Sequence, residues 1–413
     1  SVRWEFLSHT FHLASLLSLP RTNAASQQLT LKKRAGQPKN NLLNPLLNID
    51  QQLLFAVLAI LTVGLVMIYS ASISHADVKY GDSFYYLKRH LVFLLLGVVV
   101  VLIFLVIPSK IWCRLGKPIF WLTILLLIAV LFTSKINGSR RWISLGVMNL
   151  QAAEVAKFSV ILFMAGYLER YQEQLRVQWK STFMPLAMVS FVIVLLFFEP
   201  DYGSMVVISA TVFCMLFIVG VPLWLFGAMS IFAVGGLVYV AAMEPYRLER
   251  LKTFLDPWLD PGDSGYQITN SMMAFGRGEW FGVGLGNSVQ KLHYLPEAHT
   301  DFIFSIYAEE FGLVGVILIV CLYALLVHRI LHVARQAMKK RDLFAAYSCI
   351  GIAVILALQS FVNIGVTSGL LPTKGLTLPF VSYGGSSLLS YAIIFGTVAN
   401  FTRYEKSSFN QSS

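Results

Sequence analysis

The stretch YLPEAHTDFIFSIYAEEFGLVGVILIVCLYALLV, Tyr294–Val327, changes character at a single point. Up to Asp301 it is a proline, two carboxylates and a histidine. From Phe302 it is apolar for longer than the ~20 residues needed to cross the hydrocarbon core of a bilayer. A carboxylate at such a mouth is costly, and ionisable groups at membrane depth tend to serve function. Asp301 has two compatible readings: an N-cap for a helix starting at Phe302, and a general base aimed at the aqueous boundary. Glu309 and Glu310 follow two turns later, and at least one of them must face protein or a cavity rather than lipid.

The same pattern recurs along the chain. Hydrophobic residues make up 56% of the 413 residues and charged residues 13%, the composition of a polytopic membrane protein. Ten apolar runs emerge at roughly 52–72, 91–108, 118–134, 155–169, 183–199, 203–220, 223–243, 302–328, 343–367 and 387–402. The predicted fold is all-α, with about ten transmembrane helices. The basic segments LKKR, SKIWCRLGK, LERYQEQLRVQWK, HRILHVARQAMKKR and TRYEK alternate with loops poorer in cations. By the positive-inside bias they are cytoplasmic, as are both termini. The net charge of +11 is accounted for by this bias, and no nucleic-acid recognition module accompanies it. Residues 1–46 read as an uncleaved cytoplasmic tail, 47–403 as the membrane domain and 404–413 as a second tail. Cys113, Cys214, Cys321 and Cys349 form no CxxC pair and read as small core residues. Repeats, and with them an inverted-repeat transporter, are not evident.

Three outward loops are richer than connections require: NGSRRWISLGVMNLQAAE, the large 244–301 loop between spans seven and eight, and GLLPTKGLTLPFVSYGGSS. In the first, Arg140 and Arg141 run against the positive-inside pattern, and their planar forks suit phosphate oxygens. Trp142 beside them suits an interfacial anchor. Glu154 and Lys157 are spaced to pair on the fourth span. In the large loop, Arg247, Arg250 and Lys252 have interfacial helical spacing, and Asp256-Pro257 and Asp260-Pro261 are turn formers. Gly282, Gly284 and Gly286 read as tight backbone packing, with an anion-binding nest as the lesser option. His293, Glu297, His299 and Asp301 lack zinc-ligand spacing. A Mg2+ or Mn2+ ion shared with a substrate phosphate is left open. Gln359 and Asn363, one turn apart, suggest a polar interhelical contact, and EPDYG puts Glu199 and Asp201 at an outer edge.

NGSRRWISLG, FLDPWLDPGDSGYQ, GLGNSVQKLHYLPEAHTDFIFSIYAEEFG and LPTKGLTLPFVSYGGSS together resemble the SEDS family of polytopic glycosyltransferases, across residues 50–402. Ala298 and Lys374 bring the chain nearer the division members than the elongation or sporulation members. The resemblance implies a bacterial inner-membrane enzyme of the division septum. Such an enzyme polymerises lipid II beside a class B penicillin-binding transpeptidase and other division proteins, with Asp301 as the catalytic aspartate and undecaprenyl pyrophosphate as leaving group. Arg140, Arg141, Trp142, Lys374, Lys291, Glu297, His299 and Ser386 are the expected substrate-binding residues. The chain departs from the family pattern at Gln151-Ala152-Ala153-Glu154 and at Glu199-Pro200-Asp201-Tyr202-Gly203. The rival readings are a lipid II flippase, disfavoured because chemistry-capable groups gather on one face, and a division scaffold.

Overall fold

The computed structural model describes residues 49–134, 140–144, 146, 149–222, 224–228, 230, 231, 235, 253–263 and 265–409. The expected N-terminal tail, most of the 223–243 span, and Arg247, Arg250 and Lys252 lie outside these residues.

The helices are α1 (Gln51–Tyr80), α2 (Tyr85–Val106), α3 (Ser109–Leu131), α4 (Ala152–Val177), α5 (Phe183–Phe198), α6 (Tyr202–Val219), α7 (Tyr266–Gly278), α8 (Ile303–Lys339), α9 (Leu343–Thr367) and α10 (Gly385–Phe409). Nine of the ten expected spans coincide with one of them. Seven helical segments are long and apolar enough to cross a membrane: α1, α2, α3, α5 with the short 3-10 turn before it, α6, α8 and α9. α4 and α10 are more polar, and several of their polar side chains are turned inward: Glu154, Lys157, Ser386, Ser387, Ser390, Thr397 and Asn400 are all buried. SKIWCRLGK, expected as a loop, is the start of α3, and Cys113 is helical. All four cysteines are free, but only Cys349 is a buried core residue, whereas Cys321 is exposed.

Aspartates set several helix starts. Asp50 accepts from the amides of Gln52 and Leu53, Asp201 from Ser204 and Asp342 from Ala345, each satisfying a first-turn amide that has no intrahelical partner. Asp50 also pairs with Arg329 near the far end of α8, so α1 and α8 run antiparallel. α9 buries 67% of its apolar window against 22% for α2, which places α9 at the centre and α2 at the edge. On α2, Leu91, Leu95, Val98, Leu102 and Val106 form an exposed apolar stripe suited to lipid.

Two features depart from an all-α expectation of plain rods. Trp142–Ser144 (β1) and Asn149–Gln151 (β2) form an antiparallel hairpin, with Trp142 opposite Gln151. α8 breaks at Gly312 (φ 64°, ψ −165°). The backbone of 279–284 enters the break. Val283 and Gly284 donate to the carbonyls of Glu309 and Glu310 at 3.0 and 3.1 Å, while Leu313 and Val314 donate to Glu279 and Trp280. A β-carbon on Gly282 would stand 2.1 Å from the Glu310 carbonyl, so Gly282 packs as the glycine run predicted. α7 and the following turns therefore run alongside α8 below its mouth. Irregular backbone at that depth is tolerated because it is bonded to protein.

Candidate active site

Carboxylates of several loops converge at the mouth of α8. Asp301 lies two residues before the helix, but Phe302 is the cap residue and makes no side-chain cap bond. The N-cap reading of Asp301 is thereby corrected: its carboxylate has no hydrogen bond among the described residues. Its main chain is what is held. Asn363 Nδ2 on α9 donates to the Asp301 carbonyl at 2.9 Å and to the Leu376 carbonyl at 2.6 Å. Asn363 thus clamps two loop carbonyls instead of making the simple interhelical contact expected. Its partner Gln359 does bridge helices, donating to the Tyr391 hydroxyl at 2.6 Å and accepting from Lys157 at 3.1 Å. Lys157 pairs with Glu154 at 2.6 Å, as their spacing indicated.

Asp301 is half-buried, and burial pushes its pKa up to about 7. Glu297 and Asp201 add to the rise, and Arg141 opposes it. Glu199 is fully buried, and both its carboxyl oxygens lack a hydrogen-bond partner among the described residues. Burial, then Asp201, push it up to about 8 against the pull of Arg141. Arg141 is the cation of this group. Its Nε and Nη2 donate to the carbonyls of Glu199 and Pro200 at 3.2 and 2.5 Å, which ties the β-hairpin to the 199–201 turn. Lys374 stands 5.0 Å above the ring of Tyr202, beside the same turn.

The other expected residues are more dispersed. Arg140 donates to the Leu131 carbonyl at 2.7 Å, at the end of α3. Trp142 is half-buried at the start of β1. Ser386 is buried in the first turn of α10. Glu297 is exposed and accepts from Thr300 at 2.7 Å. His299 sits among the rings of His75, Tyr86 and Tyr383, and burial pushes its pKa down to about 4, so its imidazole is neutral at pH 7. Lys291 is buried, and its ammonium is committed to Glu310 and Ser70, each at 3.0 Å. Glu309 accepts from the amides of Val289 and Gln290 and from the Ser288 hydroxyl. Both glutamates of α8 therefore face protein, anchoring the 288–291 turn. Asp256 accepts from the Trp258 amide in the expected turn. Among the described residues no set of three His, Cys, Asp or Glu side chains is arranged to hold a metal ion.

Sequence reasoning placed Glu199 and Asp201 at an edge without assigning them to the cluster. The signal was their position: EPDYG is a turn between two apolar runs, as TDF is the mouth of one. It gave no clue to the aromatic partners of His299.

Fold and site together define a multi-pass membrane protein with an acidic cluster gathered at one end of its helices. The family model described as cell cycle protein, that of FtsW, RodA and SpoVE, matches residues 51–407. The chain belongs to this family. It is 48% identical over 340 residues to the probable peptidoglycan glycosyltransferase FtsW of Saccharophagus degradans, covering 81% of this chain and 88% of the relative. It is 47% identical over 352 residues to that of Coxiella burnetii, covering 84% and 95%. Among solved structures it resembles a chain of a peptidoglycan synthase complex that coordinates polymerization and crosslinking, with TM-score 0.71, 31% identity, and 86% and 98% of the two chains covered. It also resembles the rod shape determining protein RodA of Thermus thermophilus, with TM-score 0.64, 29% identity, and 86% and 97% covered.

Proposed function

We infer that the protein is a peptidoglycan glycosyltransferase that joins the disaccharides of lipid II into glycan strands, with Asp301 as the base. The reading agrees with the names of its relatives. The observation that carries it is the Asp301 carboxyl: half-buried, without a hydrogen-bond partner among the described residues, and with a pKa near neutrality. A general base works best with a pKa near the operating pH. A carboxylate already engaged in capping would have to break that bond first.

In the proposed reaction Asp301 takes the proton from the 4-hydroxyl of the acceptor N-acetylglucosamine. The freed oxygen attacks the anomeric carbon of the donor sugar, and the bond to undecaprenyl pyrophosphate breaks. An α-linked donor gives a β-linked product in one in-line displacement, with no covalent enzyme intermediate. Arg141 lies close enough to the acidic group to lower both raised carboxyls. With Arg140 and Lys374 it is best placed to offset the pyrophosphate charge. Lys291 acts through structure, holding the 288–291 turn against Glu310. The described carboxylates form no cage for an ion, and none of these steps is routed through one.

The same reading puts the protein in the bacterial inner membrane at the septum, with the Asp50 end cytoplasmic, ten spans within 47–403, both tails inside and Asp301 on the outer face. It also gives the protein a class B transpeptidase and further division proteins as partners. The experiment is polymerisation of lipid II in detergent by wild type and Asp301→Asn, each with the cognate transpeptidase. Loss of polymer in the variant is expected. Wild-type-like polymer from Asp301→Asn would sink the assignment, and wild-type protein that makes no polymer in detergent would favour the flippase.

A further inference from the structure

A run of aromatic rings leads from the neighbourhood of Asp301 to an open face of the protein. His299, two residues before Asp301, has its ring 4.7 Å from that of Tyr86 and 5.9 Å from that of Tyr383. Tyr86 and Tyr383 meet edge to face at 5.0 Å, and the Tyr383 amide donates to the His299 carbonyl at 3.0 Å. Tyr86 is buried and touches Tyr85 and Tyr80 in turn, at 5.4 and 5.9 Å. These two lie face to face, 3.8 Å apart and 14° from parallel. Tyr80 is 43% exposed. Two cations frame the pair. Lys79 Nζ stands 5.5 Å from the Tyr80 ring, and the Arg89 guanidinium stands 5.7 Å from the Tyr85 ring while donating to its hydroxyl at 3.0 Å.

The bland reading is a belt of interfacial tyrosines. Helix length argues against it. The 30 residues of α1 extend ~45 Å, against ~30 Å of hydrocarbon. With the Asp50–Arg329 pair at one boundary, the last turns of α1 stand clear of the other. Belt residues also present single rings to lipid. Here the rings stack on each other, and Lys79, Asp82, Lys88 and Arg89 surround them, with Lys88 paired to Asp82 at 2.8 Å.

We propose that the Tyr80–Tyr85 pair, backed by Tyr86 and flanked by Lys79 and Arg89, binds the growing glycan strand as it leaves the Asp301 site. The proposal rests on the polymerase reading. Its argument is continuity, since the ring contacts run from His299 to the surface, together with chemical fit. The outer face of each ring, the one turned away from its partner, receives the C–H face of a sugar as the cation over it swings to the carboxylates of the peptides carried on every second sugar, which Lys79 and Arg89 match. No bond is made or broken at this surface.

The test uses the full chain in lipid nanodiscs, with fluorescently labelled, uncrosslinked glycan strands as the probe. Tyr80→Ala/Tyr85→Ala should weaken strand binding about tenfold, the loss expected from removing two stacking faces. It should also shorten the chains made from lipid II more than it slows lipid II consumption. Tyr80→Phe/Tyr85→Phe should bind as wild type, because the ring faces remain. Arg89→Gln should weaken binding of strands that carry peptides but not of strands stripped of them. Unchanged binding by the alanine pair overturns the proposal, and so does equal loss in the phenylalanine pair, which would mark a structural effect. Binding to Asp301→Asn protein needs no turnover. Polymer from that variant would therefore defeat the polymerase assignment, while strand binding would still decide the fate of the surface.

Discussion

Gly375 lies so close to Asp301 that a β-carbon at Gly375 would stand 2.6 Å from Asp301 Oδ2. The loop between α9 and α10 is thereby laid against the proposed base, and Asn363 holds both partners by their backbone, through the carbonyls of Asp301 and Leu376.

Gly375→Ala should therefore displace the carboxylate rather than unfold the protein, because the clash is with the far end of a side chain. Misplacement by about 1 Å can cost about 100-fold in rate, so a loss of lipid II polymerisation of about ten- to 100-fold is expected with little change in unfolding temperature. Full activity in this variant would show that the loop does not position Asp301.

The rate should rise with pH. Asp301 is an acid whose pKa is raised to about 7 by burial, then by Glu297, so it is neutral on the acid side of that value and able to take a proton above it. A pH–rate profile should fall about tenfold per unit below its midpoint. Glu297→Gln removes a neighbouring negative charge and should move that midpoint to lower pH. A midpoint unmoved by this change would remove Glu297 from the electrostatics of the site.

Glu199 makes a prediction of stability. Its pKa is raised to about 8 by burial, and then by Asp201. Between the ordinary carboxylate value of ~4.3 and that point, the folded state binds more protons than the unfolded state, so stability declines as pH rises. The loss is complete once the buried carboxyl itself ionises, above about 8. Glu199→Gln should flatten this part of the stability curve and exceed wild type in alkaline buffer. Thermal unfolding at several pH values between ~4.3 and ~8 checks it, and parallel curves for the two proteins across that range would contradict it.

Gly312 should not tolerate a side chain. Its φ of 64° with ψ of −165° belongs to a region nearly reserved for glycine, and a β-carbon would stand 2.4 Å from the Gly282 amide nitrogen. Gly312→Ala is expected to cost at least about 2 kcal/mol and to loosen the 279–284 segment. Unfolding in detergent together with amide exchange at Val283 and Gly284 would register both effects.

The Glu154–Lys157 pair is buried on both sides. Lys157→Met alone leaves a buried carboxylate and should cost about 3–5 kcal/mol, whereas Glu154→Leu/Lys157→Met should recover most of it. Equal stability of the single and double variants would show that the pair is not coupled.

Much of this architecture could be read along the chain. Apolar runs of sufficient length marked nine of the described helices, because crossing hydrocarbon demands a continuous local signal. The Glu154–Lys157 pair and the Asp256 turn were legible for the same reason, since their partners are three and two residues away. The β-hairpin was missed because strands of three residues carry almost no periodicity. The true cap of α8 was missed because residue preference does not say which residue turns the helix. The Gly312 break was invisible because its cause, residues 279–284, lies 30 residues upstream.

The sequence by itself determined that this is a membrane bundle with its chemistry-bearing loops on one face, and it singled out Asp301 through the family likeness of its surroundings. Only the tertiary structure decided the company Asp301 keeps: Asp201 and Arg141 from distant turns, Gly375 against its oxygen, Asn363 beneath its backbone. It also separated Lys291 from the candidate cations by pairing it with Glu310. A span is written in local hydrophobicity. A carboxylate's pKa and freedom depend on burial and on charges brought near by folding, and those distances exist only in three dimensions.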